Sequence, residues 1–175
     1  MLNRGGLNLN YKEGFEIEAN KFQEYKPIIL RLLTATDVEL TTRSVLDTRC
    51  GIDAIATIKN QQYFLGLRFR KTNKDYNSIT FSRHYSDNAS ELKKFINNRI
   101  KPDFFISISE VNTMLRIVEV NIESFVLYIK TLLTNNELDN FYNERLMAYE
   151  FNLNKFEQFE HGIRNYFIEK DKVYR

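Results

Sequence analysis

Asp53 stands in the run Gly51-Ile52-Asp53-Ala54-Ile55-Ala56-Thr57-Ile58, an acid inside an otherwise apolar, alternating segment. A carboxylate in such surroundings is costly to bury alone, so it needs a metal ion, a cationic partner or hydrogen bonds. The segment that follows, Tyr63-Phe64-Leu65-Gly66-Leu67-Arg68-Phe69-Arg70, places Arg68 and Arg70 two positions apart, and an extended strand sets such positions on one face. Either arginine can close an ion pair with Asp53 across a hairpin. Alternatively Arg68, Arg70, Lys71, Lys74 and Arg83 form a basic edge suited to phosphates, with Tyr76 and Phe81 beside it for stacking. His84 sits where a surface histidine is the simpler reading than a base or ligand, and His161, between Glu160 and Gly162, reads as a turn residue.

The frame for these residues is written in the apolar periods. Phe15, Ala19, Phe22, Ile29, Leu30 and Leu33 follow a helical spacing, interrupted by Pro27, which predicts one bent helix or two short ones. Val38 to Thr42 predicts a first strand, and Ile52 to Ile58 with Tyr63 to Arg70 predicts a hairpin around the polar turn Lys59 to Gln61. Ile79 to Ser82 predicts a third strand of the same sheet, and Leu92, Phe95, Ile96 and Ile100 mark a helix begun near Asp87 or Asn88 and stopped by Pro102. A second hairpin is expected over Asp103 to Ser109 and Leu115 to Val120, then a helix capped by Asn121. Thr134 to Asn140 reads as linker, Leu146 to Phe151 as strand or helix, Leu153 to Phe159 as a short helix and Ile163 to Glu169 as a last strand. The expected organisation is an arm over residues 1–12, a core over 13–133 and an extension over 134–175 packing on the same domain, in an α/β fold with a mixed sheet flanked by helices.

The aspartate before a hairpin, the returning strand through Gly66 and Arg68, and the order of the surrounding helices and strands resemble the core of the PD-(D/E)XK, or restriction-endonuclease-like, nuclease superfamily over roughly residues 13–133. That resemblance implies a Mg²⁺ or Mn²⁺ site in which an aspartate and a second acid or glutamine hold the metal, while a lysine two residues later orients the attacking water. Asp53 matches the aspartate, Gly66 falls at the second acid and Arg68 at the lysine. Glycine brings no carboxylate, and arginine cannot act as a base near neutral pH, although it can clamp a phosphate. Glu16, Glu18 or Glu24 on the first helix would supply a further ligand, Glu18 being preferred. The resemblance therefore implies phosphodiester hydrolysis, on DNA rather than RNA, if the site works. The two departures tilt the expectation towards an inactive relative that binds nucleic acid or a partner protein, or serves as an accessory subunit of an assembly.

Composition sets the outer bounds. A chain of 175 residues, 43% hydrophobic, is long enough for one buried core without staples, and its single cysteine, Cys50, excludes an internal disulfide and a cysteine-rich zinc knuckle. The thiol count and the lack of a leader-like apolar run predict a cytoplasmic protein with no membrane partner. The formal charge of +2 is unevenly spread. Lys93, Lys94, Arg99 and Lys101 continue the basic middle, whereas Glu137, Asp139, Glu144, Glu150, Glu157 and Glu160 give an acidic, aromatic last third that would suit a protein partner. Homodimerisation is expected by analogy with enzymes that cut both strands. No phosphate-binding glycine loop, serine triad or dinucleotide fingerprint is present, so nothing supports a kinase, serine hydrolase or dehydrogenase.

Overall fold

Phe22, Tyr25, Ile29 and Leu33 recur at the spacing of one helical face, and all four are buried against the main sheet in the computed structural model, which describes residues 6–41, 46, 50–72, 77–82, 90–153 and 162–170. Their helix, α1, runs unbroken from Gly6–Leu33 with Pro27 inside it. The helix survives the proline because Pro27 and Gln23 both face outward, where water can take up the carbonyl that loses its N–H partner. It also starts earlier than the apolar spacing suggested, so residues 6–12 of the expected arm are helical. Thr34, at φ +51°, ends it, and Ala35 N–H donates to the Leu30 carbonyl at 2.9 Å.

The main sheet is mixed and six-stranded: β1 (Asp37–Leu40), β2 (Ala54–Ile58), β3 (Gln61–Thr72), β5 (Phe104–Val111), β6 (Met114–Asn121) and β9 (Ile163–Glu169), adjacent in that order. β2 and β3 form the expected hairpin, with Lys59 and Asn60 both at positive φ in the turn that matches strand twist. β3 then pairs with β5 in parallel, Arg68 opposite Ser107 and Arg70 opposite Ser109, while β5, β6 and β9 are antiparallel neighbours. The crossover that makes β3 and β5 parallel contains α2 (Glu91–Asn97), capped by Ser90 rather than beginning near Asp87 or Asn88. Asn121 caps α3 (Ile122–Thr134) as expected, its side chain accepting from Ser124 N–H at 3.0 Å.

β4 (Ser78–Ser82) corrects the single-sheet expectation. It joins β7 (Tyr142–Asn143) and β8 (Ala148–Asn152) in a second sheet of three strands, in the order β4, β8, β7. The physical reason is Phe81, fully buried among Phe95, Phe105, Phe125 and Phe151 with ring centroids 4.8–6.1 Å away. That cluster lies above the main sheet, between it and the second one, and a strand carrying Phe81 must sit on the far side of it. The expected linker over Thr134 to Asn140 includes the start of a 3-10 turn at Leu138–Phe141 that buries Leu138. The expected short helix over Leu153 to Phe159 lies, apart from Leu153, outside the described residues.

Two cores result from the pleat. Leu65, Ile106, Ile108, Leu115 and Ile117 face α1; Phe105, Val118 and Val120 face α2, α3 and the second sheet. Among the described residues no helix is long and apolar enough to cross a membrane.

On the α1 side, Glu110 of β5 is 5% exposed and receives hydrogen bonds from Lys21 Nζ at 2.6 Å, Lys170 Nζ at 2.7 Å and the Tyr25 hydroxyl. Burial works to raise its pKa, but the bonds from Lys170, Lys21 and Tyr25 outweigh that and leave it at about 2, below the ordinary 4.5. A carboxyl whose pKa is depressed on folding stabilises the fold above its unfolded pKa, and that contribution is lost as pH falls through the folded value. Glu110→Gln is therefore expected to lower the urea midpoint near neutral pH, and the gap from wild type to close as pH falls from 4.5 towards 2. A gap that stays constant over that range would rule out this role.

Candidate functional site

Gly51, at φ +69°, turns the chain into Asp53 one residue before β2. Asp53 is half-buried and works first as a splice: its N–H donates to the Leu65 carbonyl at 2.7 Å and its own carbonyl accepts from Thr41 N–H at 2.9 Å. Its side-chain Oδ2 accepts from Leu67 N–H at 2.6 Å. The carboxylate is thus drawn onto the backbone of β3.

Gly66 has no room for the acid that the resemblance would put there. A Cβ at this position would lie 2.9 Å from Cδ2 of the buried Phe105 ring and 3.3 Å from the Gly51 carbonyl oxygen, closer than real Cβ atoms approach a ring. The glycine is a packing requirement, because Phe105 fills the space a side chain would take.

Arg68 is captured. Its Nη2 donates to both carboxylate oxygens of Glu91, at 2.7 and 2.5 Å, its Nη1 donates to the Thr80 carbonyl, and its guanidinium lies 5.1 Å from the Phe105 ring centroid. Both side chains are only 20% exposed. The same Glu91 carboxylate accepts from Ser82 N–H at 3.2 Å, so one pair ties β3, β4 and the first turn of α2 together. The anticipated Asp53–Arg68 or Asp53–Arg70 pair does not form, since Arg70 donates instead to the Thr80 hydroxyl at 2.5 Å. Burial and the neighbouring Arg68 charge push the Arg70 pKa down, yet the residue as a whole remains exposed.

No family model matches the chain, and no curated protein or solved structure matches it significantly.

The other anticipated residues divide. Lys71 is exposed and, by the pleat of β3, belongs to the face opposite Arg68 and Arg70, so the basic edge is split between two sides of the sheet. Lys74, Tyr76, Arg83, His84 and His161 lie outside the described residues, as does the side chain of Glu18. Glu16 is exposed, and Glu24 is paired with Lys21 at 2.8 Å. Among the described residues of the last third, Phe151 and Tyr149 are buried and Phe141 packs against the same core, while Phe167 is 51% exposed; Phe156 and Phe159 lie outside the described residues.

These positions do not fit a divalent cation. Position 66 offers no donor, position 68 places a fixed cation where a metal would be repelled, and Glu91 is already committed to that cation. Among the described residues no three His, Cys, Asp or Glu side chains come together as a metal site would require. Nothing local in the sequence marks Glu91, because an acid in the first helical turn reads simply as a complement to the helix dipole.

Two substitutions test this account of the site. Gly66→Ala is expected to destabilise the fold by about 1–3 kcal/mol through overpacking against Phe105. Glu91→Ala is expected to cost about 1.5–3 kcal/mol, the range for hydrogen bonds to a charged group and above that of a surface pair. In a double-mutant cycle with Arg68→Ala, measured by urea unfolding, the two effects should be strongly non-additive; additivity would show that the pair contributes nothing.

Proposed function

We propose that the chain is a nuclease-like domain that has given up phosphodiester hydrolysis and binds nucleic acid, DNA in preference to RNA. The observation that carries the reading is the two-pronged hold of Glu91 on Arg68, at the position where the resemblance calls for a lysine near the attacking water. An arginine so held can neither shed a proton nor swing onto a scissile phosphate. The order of elements supports the kinship: α1, the antiparallel run β1, β2, β3, the α2 crossover and a parallel β5. β4 departs from it by leaving the main sheet.

Binding rests on what remains charged and accessible. Arg70 is exposed, sits opposite Ser109 in register and makes no ion pair with a described carboxylate. Its Nη2 is held by the Thr80 hydroxyl, and its other guanidinium N–H groups can donate to a backbone phosphate. The lone Cys50 suits work in a reducing cytoplasm.

The test combines cleavage with binding. Supercoiled plasmid and a single-stranded oligonucleotide, incubated with Mg²⁺ or Mn²⁺, should remain intact with wild type and with Asp53→Ala alike. The same DNA should bind with an affinity that falls steeply with salt, and Arg70→Gln should reduce the slope of log K against log salt by about one. Metal-dependent cutting that disappears in Asp53→Ala would overturn the loss of chemistry. Failure to bind DNA or RNA at low salt would overturn the nucleic-acid partner.

A further inference from the structure

A cleft of about 300 Å³ opens on the other side of the main sheet, between the C-terminal half of α1 and the edge formed by β6 and β9. Its walls are hydrocarbon: Ile28 and Leu32 from α1, Ile117 from β6, Ile168 from β9, and the ring of Tyr166. The volume is at the lower end of the roughly 300–1,000 Å³ typical of small-molecule sites. Apolar walls without neighbours forgo dispersion contacts, so such a space favours an apolar guest.

One charge lines the cleft, that of Arg31. The other described cations of α1 and of the β9 end each meet a carboxylate: Lys21 and Lys170 on Glu110, Lys26 on Asp37 at 2.9 Å and Arg164 on Glu119 at 3.9 Å. Arg31 is exposed and has no acidic partner among the described residues. A cation in the last turn of a helix is favoured by the dipole alone. An unpaired guanidinium beside an apolar chamber goes further, because it supplies the polar end of a binding site whose other end is greasy.

We propose that this cleft binds a small apolar carboxylate, with its hydrocarbon part between α1 and the β6–β9 edge and its carboxylate on Arg31. A cationic amphiphile would meet like charge at the mouth, and a neutral alcohol would gain only the apolar contacts. The site is separated from Arg68 and Arg70 by the sheet itself, so it stands or falls independently of nucleic-acid binding.

Decanoate, decanol and decyltrimethylammonium, each below its micellar concentration, provide the test by isothermal titration of the full chain. Wild type should prefer decanoate to decanol by about tenfold, the gain expected of one charge-assisted contact, and should bind the cation weakest. Arg31→Ala, at an exposed position, should erase the preference for decanoate while leaving decanol binding unchanged. Leu32→Trp, which fills the cleft, should suppress both. The proposal is overturned if wild type takes up none of the three, if Arg31→Ala keeps the carboxylate preference, or if folded Leu32→Trp binds decanoate as wild type does.

Discussion

The Phe105 ring rests where Gly66 leaves no side chain, and the layers on that side of the main sheet depend on the contact. Phe81 and Phe95 pack against the same ring in tilted contacts, with centroids at 5.2 and 6.2 Å, joining the second sheet and α2 to β5. A larger residue at 66 would push the ring outward, and in an interior packed as densely as an organic crystal that displacement has nowhere to dissipate. The glycine therefore fixes how near α2 comes to β3. That distance in turn allows Glu91 to reach Arg68. The bare position at 66 and the capture of the cation at 68 are two results of one packing arrangement.

Much of the frame was legible in the sequence because it is local. Alternation through Ile58 and Phe69, the polar turn at Lys59 and Asn60, and the cap at Asn121 each involve residues close in the chain, where period and turn chemistry decide the outcome. The placement of β4 was not legible. Ile79 and Phe81 announce a strand that will be buried, but the pattern of one strand does not name its neighbour, and β8 lies far along the chain. Gly66 illustrates the same limit at the site: its type shows that no carboxylate is present, while the reason, a ring contributed by β5, is a long-range fact.

Arg68 and Glu91 show why a motif read position by position tells only half of a site's state. Arg68 is a cation, and by charge alone such a residue can clamp a phosphate. Its planar fork is instead divided, Nη2 on both Glu91 oxygens and Nη1 on the Thr80 carbonyl, and both side chains are partly buried. The face of the sheet that carries Gly66 and Arg68 is a joint between layers. The opposite face, where Glu110 gathers Lys21, Tyr25 and Lys170, is pinned by similar means.

The strand order also has a bearing on how the chain is made. Among the described residues β4 pairs with β8 and the outer edge of β6 with β9, so both sheets wait for segments far along the chain to leave the ribosome. β1, β2 and β3 are neighbours both in sequence and in the sheet, whereas β6 and β4 each have an edge whose partner lies far downstream. Closure by such distant segments is slow relative to local hairpins, and open edges in the interval are where chains stick to one another. Conditions that slow the emergence of β8 and β9 should therefore affect yield more than they affect the stability of the folded domain.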